Sequence, residues 1–250
     1  MNTKLFSLGL GLALLTATVQ AVELQLPCTP ANTTFAFDID QVLLDHNQPI
    51  SSTLWDYRWD VAKNIVNPYL VYCIVCLAYQ KATGRAYLEL LKIQAPRLAE
   101  MVEHIMLDKK PIAGMEQLVN NLRAQAYSLV IASNMGEQDF AYYKEKFRSL
   151  FGNFDFAQVV PHTANGIPLI KKKPSLEYFQ QLKTELAEHN LAKENLIFID
   201  DKKKNVEAFE INAKNGTPEV FKGFKGIQFK NTLQFQADLA KLGIIASATV

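Results

Sequence analysis

The sequence predicts an α/β protein in which a parallel sheet carries helices on both faces. Two observations lead there. Apolar runs of strand length alternate with stretches of helical period, and each run ends in polar groups just where a helical pattern resumes. Ligand crevices of open parallel sheets lie beyond the carboxyl ends of the strands, so these polar ends are expected to converge in space.

Taken in order, Thr34 to Asp40 (TFAFDID) is the first run and closes in acids. Tyr127 to Ser133 (YSLVIAS) and Asn195 to Asp200 (NLIFID) are similar, and helical patterns follow them at Gly136 to Leu150 and Lys202 to Ile211. Between Asp45 and about Lys110 the pattern changes. Strand-like alternation is missing, aromatics are frequent (Trp55, Tyr57, Trp59, Tyr69, Tyr72, Tyr79, Tyr87), and apolar residues recur at helical spacing through Leu70, Cys73, Leu77 and through Leu88, Leu91, Leu98, Val102. This reads as a helical insertion punctuated by Gly84 and Pro96. Pro111 and Gly114 mark the return to the α/β core through a helix at Met115 to Gln125. Further on, Ala157 to Ile170 with its Asn165-Gly166 pair suits a short hairpin or loop, and Ser175 to Leu186 a helix. Gly226 to Lys230 suits a strand, and Thr232 to Leu242 a last helix.

Composition narrows the function. The 250 residues are 49% hydrophobic and 20% charged, an ordinary globular mixture that excludes disorder, collagen and coiled coil. With 26 basic and 25 acidic residues the net charge is +1, so no strong field exists to gather nucleic acid or an anionic membrane. Any phosphate chemistry must therefore be local. Three cysteines, Cys28, Cys73 and Cys76, are too few for a disulfide scaffold and lack the histidine partners of a zinc site. Cys73 and Cys76 sit at helical spacing within an apolar run and read as packing residues rather than a redox pair. Trp55, Tyr57 and Trp59 suit packing between helices of the insertion, or the lining of a substrate pocket.

The amino terminus is set apart from the fold. Lys4 precedes an uncharged apolar run from Leu5 to Val19, too short to span a bilayer comfortably, and Val19 and Ala21 supply small residues for cleavage after Ala21. Residues 1–21 are thus expected to be a signal peptide. The mature chain, a core of 22–44 and 111–250 with the insertion at 45–110, is expected to be exported to the periplasm or beyond, without a stable membrane anchor.

Four carboxylates close two of the core strands: Asp38 and Asp40 on the first, Asp200 and Asp201 on another. Each pair alone fits a solvated turn or a helix cap. Gathered at one crevice they repel one another unless a cation is bound, which implies a hard ion such as Mg²⁺, completed by oxygens of a phosphorylated ligand. Ser133 and Asn134 offer a hydroxyl and backbone N–H groups to a phosphate oxygen at a helix start, and Lys173, before Pro174, places a cation at another.

With these residues in place, the chain resembles the haloacid dehalogenase-like (HAD) hydrolase superfamily. Phe37-Asp38-Ile39-Asp40 looks like the first motif and Ala132-Ser133-Asn134 the second. Lys173-Pro174 with Phe179 looks like the third, and Phe198-Ile199-Asp200-Asp201 with Asn205-Val206-Glu207-Ala208 the fourth. The resemblance covers about Thr34 to Phe229. It implies a Rossmann-like core with an all-helical cap inserted after the first strand, and the phosphatase branch of the family. It further implies Asp38 as a nucleophile forming an aspartyl-phosphate and Asp40 as general acid, then base. Metal would be held by Asp38, the Asp40 backbone carbonyl and the Asp200-Asp201 pair, with Ser133, Asn134 and Lys173 around the phosphoryl group.

Phosphoryl transfer asks for in-line positioning and neutralised equatorial oxygens, which a metal, a lysine and a hydroxyl provide, while a carboxylate serves as covalent nucleophile. Asp40 argues against halide expulsion, which needs no such acid. Gln41 stands where the family commonly has glycine. The expected activity is hydrolysis of a small phosphomonoester. A phosphotransferase using the same aspartate, or an exported binding protein with little turnover, are the alternatives.

Overall fold

The computed structural model describes residues 27–46, 55–60, 92–93, 95–160, 171–215 and 223–246. Its centre is a five-stranded sheet of β1 (Thr33–Phe37), β4 (Ser128–Gly136), β5 (Phe156–Val160), β6 (Asn195–Asp200) and β7 (Gly223–Gln228), in spatial order β5-β4-β1-β6-β7. Every pairing is parallel. From β1 the chain builds outward through β4 and β5, then crosses to the other side for β6 and β7. The reversal of strand order therefore falls at β1, and the crevice opens at its carboxyl end.

Residue alternation explains why the central strands read as unbroken apolar runs. Phe35, Phe37, Leu129, Ile131, Ile197 and Ile199 face one layer, where they meet helix α2 (Met115–Ala124) and helix α7 (Thr232–Lys241) through Leu118, Leu122, Phe235 and Leu239. Ala36, Val130, Ala132, Leu196 and Phe198 face the opposite layer. There Tyr178, Phe179, Leu182 and Leu186 of helix α5 (Leu176–Glu188) and Phe209 of helix α6 (Lys203–Asn215) cover them. With both faces buried, successive residues of a strand all need apolar side chains.

Observed boundaries stay close to expectation at α2, β6 and α7 and shift at several other elements. Helix α3 (Glu137–Lys146) and the short α4 (Arg148–Phe151) replace one expected helix from Gly136 to Leu150, and β7 begins three residues before Gly226. The Asn165-Gly166 element, the Cys73 and Cys76 pair and the leader lie outside the described residues, as does most of the insertion. No helix among the described residues is long and apolar enough to cross a membrane.

One element was not visible in the sequence. Strands β2 (Leu44–His46) and β3 (Lys109–Pro111) pair antiparallel, so the two ends of the segment between them stand side by side. Both expected insertion boundaries fall inside this ribbon. Three residues per strand are too few to display a period of two, which is why 45–110 reads as strand-free. Helix α1 (Pro96–Leu107) leads into β3, and Ile112 N–H donates to Leu43 O at 2.9 Å to continue the pairing. Gly114 then starts α2 at φ 79°, a left-handed conformation in which a Cβ would also press on Thr232 Cγ2 at 3.2 Å.

Candidate active site

The parallel ladder carries β1 one residue past its end, because Asp38 N–H donates to Ile199 O at 2.9 Å. The Asp38 carboxylate is thereby fixed at the crevice floor. Its Oδ1 accepts from Ile39 N–H and from the Ser133 hydroxyl, both at 2.7 Å, and its Oδ2 lies 3.1 Å from Lys173 Nζ. Burial pushes this carboxyl up to about 6; the Lys173 ammonium pulls the other way, the charges of Asp200 and Asp40 add to the rise, and the Ser133 hydrogen bond opposes it.

After Asp38 the chain folds back tightly, with Ile39 O accepting from both Leu43 and Leu44 N–H at 2.9 Å. Gln41 stands in this turn at φ 61°, the left-handed region that explains a glycine preference here. Its side-chain amide donates to Asp45 Oδ1 at 2.7 Å. Asp40 forms an ion pair with Lys109, a nearly buried residue of β3.

Strand β4 runs on to Gly136, so Ser133 and Asn134 lie within it and α3 begins only at Glu137. The expected placement at a helix start is corrected by this. Ser133 is buried, its hydroxyl donating to Asp38 and accepting Met135 N–H at 3.2 Å. Asn134 holds the neighbouring loop: its Oδ1 accepts Lys173 N–H at 2.8 Å and its Nδ2 donates to Lys173 O at 3.1 Å. Both ends of the Asn134 amide thus serve the Lys173 backbone. Lys173 also differs in detail from expectation, since Ser175 caps α5 by accepting Tyr178 N–H at 3.2 Å, leaving Pro174 one residue ahead of the cap.

The Lys173 ammonium is fully enclosed. It donates to Ala132 O and to Asp200 Oδ2, each at 2.7 Å, stands over the Phe198 ring at 5.3 Å, and reaches Asp38 as given above. Asp200, at the end of β6, is further held by Asn205 Nδ2 at 2.9 and 3.0 Å and by Lys202 N–H at 2.9 Å. Asn205 occupies the first turn of α6 and is buried. Asp201 is different. Its Oδ1 is shielded from solvent and has no hydrogen-bond partner among the described residues, and burial raises its carboxyl.

Asp38, Asp40, Ser133, Asn134, Lys173, Asp200 and Asp201 therefore meet at one crevice, drawn from three strand ends and a loop. Asp38, Asp200 and Asp201 each offer an oxygen within 4.8 Å of the others. This all-oxygen donor set, including an orphaned carboxylate oxygen cut off from water, fits a hard divalent cation. Charge agrees: Lys109 is taken up by Asp40, and the Asp38, Asp200 and Asp201 carboxylates have only the Lys173 ammonium among them, which pairs with the first two. Two residues of the site were given no role by the sequence: Asn205, which stands in the fourth motif and holds Asp200, and Lys109, 69 residues from Asp40, which carried no signal.

A family model described as haloacid dehalogenase-like hydrolase matches residues 35–214. No curated protein matches the chain. Among solved structures, a hydrolase from Streptococcus pneumoniae TIGR4 is 12% identical, with a TM-score of 0.49 over 84% of this chain and 98% of that one. A HAD-superfamily hydrolase from Ehrlichia chaffeensis is 15% identical, with a TM-score of 0.48 over 85% and 98%. A HAD family hydrolase from Salmonella enterica serovar Typhi is 15% identical, with a TM-score of 0.47 over 88% and 73%. With its motifs gathered at one crevice and the family model spanning most of its length, the chain belongs to the haloacid dehalogenase-like hydrolases.

Proposed function

We propose that this hydrolase is a Mg²⁺-dependent phosphatase that cleaves small phosphomonoesters through an aspartyl-phosphate on Asp38. The observation that carries the reading is the environment of Asp38. A buried carboxylate faces a hydroxyl and an ammonium, with a second acid two residues on. Burial removes the water that would otherwise solvate the nucleophile, and Ser133 and Lys173 stand where the equatorial oxygens of a phosphoryl group would arrive.

In the first step an Asp38 oxygen attacks phosphorus, the bond from phosphorus to the ester oxygen breaks, and the leaving oxygen takes a proton from Asp40, which enters this step protonated on one oxygen while the other stays on the Lys109 ammonium. In the second, water attacks the phosphorus of the aspartyl-phosphate and gives its proton to Asp40. Inorganic phosphate departs and the Asp38 carboxylate returns. The Ser133 hydroxyl and the Lys173 ammonium, both on Asp38 beforehand, turn to the phosphoryl oxygens, so the substrate inherits contacts already in place. Asn134 keeps Lys173 from drifting by holding its backbone at both ends. Asp38, Asp200 and Asp201, with the Asp40 carbonyl implied by the family resemblance, would hold Mg²⁺, which when bound neutralises charge on the phosphoryl oxygens.

Export belongs to the same proposal. An apolar leader ending at Val19 and Ala21 supports a phosphatase that works outside the cytoplasm on a small molecule, free of nucleic acid and of a stable membrane anchor.

The deciding comparison is Asp38→Asn against Asp40→Asn. Asp38→Asn is expected to abolish turnover on aryl and alkyl phosphates alike. Asp40→Asn removes only proton transfer, a loss of about 10² to 10⁴-fold on alkyl phosphates and far less on an activated aryl phosphate. Folded Asp38→Asn protein that hydrolyses aryl phosphate like the native enzyme would refute the covalent route. Native protein without turnover on any phosphate ester would favour a binding role.

A further inference from the structure

The Asp40 carboxylate is paired with an ammonium that reaches it from the far side of the insertion. Lys109 is the first residue of β3, the strand on which the chain re-enters the core, and its side chain is only 7% exposed. It pairs across the ribbon with His46 of β2, while Asp40 itself is bridged to Leu44 at the start of β2. Donor and acceptor are thus anchored on one short ribbon. The ring of Tyr143, a fully buried residue of α3, lies 5.6 Å from Lys109 Nζ and backs the ammonium with a polarisable face.

A buried lysine is costly to keep charged unless its partner is fixed and its stem well packed. Here both conditions are met, and the partner is the residue proposed above as the proton carrier. A proton carrier works only within hydrogen-bond reach of the leaving oxygen, and an aspartate on a tight turn has two side-chain torsions through which to miss it. We propose that Lys109 is a positioning residue for Asp40: it clamps the carboxylate at the crevice and ties its direction to the strand that closes the insertion. The inference rests on the reading of Asp40 as general acid and base. It assigns to the β2-β3 ribbon a role in catalysis beyond joining two parts of the chain.

The test compares Lys109→Met, Lys109→Gln and Lys109→Arg, each folded by circular dichroism, on p-nitrophenyl phosphate and on glycerol 2-phosphate with Mg²⁺ present. Lys109→Met and Lys109→Gln are expected to lower kcat on the alkyl ester by about 10 to 100-fold, with KM little changed and the aryl ester affected less than about threefold. Lys109→Arg should restore most of the loss. In an Asp40→Asn background Lys109→Met should add nothing to the alkyl defect, and in chelator it should shift the unfolding midpoint less than in the native background. Equal losses on both esters, or losses that multiply with those of Asp40→Asn, overturn the role of Lys109 while leaving the acid in place. If Asp40→Asn itself shows no preference between esters, the reading of Asp40 fails, and the assignment of Lys109 is overturned with it.

Discussion

Lys173→Met is the perturbation that most directly probes the electrostatics of the crevice. The native ammonium, without solvent exposure, sits 2.7 Å from Asp200 Oδ2 and 3.1 Å from Asp38 Oδ2. Methionine fills nearly the same volume but leaves two buried carboxylates facing each other. Removing one partner of a buried ion pair costs about 3 to 5 kcal/mol. Protonation limits the loss. Asp38, already pushed up to about 6 by burial, loses its attracting cation and keeps its proton to higher pH. The sign follows from proton counting. Above about pH 7 the native fold holds Asp38 ionised, as does the unfolded chain, and stability is flat; the variant fold holds an extra proton, so its stability falls by up to about 1.4 kcal/mol per unit as pH rises. The deficit should therefore widen between pH 6 and 8. Urea unfolding followed by circular dichroism in chelator measures it, and saturating Mg²⁺ should recover part of it by supplying positive charge to the same oxygens. A deficit under about 0.5 kcal/mol at pH 7.5 would mean that Lys173 does not hold these carboxylates together.

Mg²⁺ should raise the melting temperature of the native protein and do so much less in Asp201→Asn, which removes the charge beside the orphaned Oδ1; equal shifts in calorimetry would place the ion elsewhere. Activity on an aryl phosphate should vanish after exhaustive chelation and return with Mg²⁺, and full activity in chelator would assign the carboxylates another task. Gln41→Gly should raise the melting temperature by about 1 to 3 °C. Relief of a left-handed glutamine is worth roughly 1 kcal/mol, and losing its exposed hydrogen bond to Asp45 takes back part of that; a lower melting temperature would show the turn to be unstrained. The mature protein should begin at Val22, and a mass spectrum with an intact Met1 terminus in a cytosolic fraction would refute export.

What could be read from the sequence is what the chain encodes locally. Strands such as Asn195–Asp200 are buried on both faces, so they appear as apolar runs, and acids at their ends stand out against that background. The position of Ser133 within a strand was less legible, because Asn134-Met135-Gly136 resembles a helix approach until a strand neighbour is known; pairing with β5 carries β4 on to Gly136 across a register shift. The role of Asn134 was hidden for a related reason. Its partners are backbone atoms of Lys173, 39 residues away, and backbone atoms carry no sequence signature. Lys109 is the extreme case, since one lysine among many becomes distinct only when β2 and β3 pair.

These non-local contacts bear on the order of events under the proposed mechanism. Before substrate arrives, Ser133 and Lys173 both face Asp38, and Lys173 is shared with Asp200. A phosphate dianion entering this arrangement meets two excess negative charges, which Lys173 alone cannot offset while it is also neutralising two carboxylates. Asp38, Asp200 and Asp201 would hold a divalent cation, whose positive charge would offset these carboxylates and leave Lys173 able to turn toward the phosphoryl oxygens. Lys109 holds one oxygen of Asp40 whether or not the other carries the proton, so this pair stands apart from the exchange. Thus the acid keeps its direction while the charges beneath it are redistributed, and a tight tether from outside the three strand ends is what that separation requires.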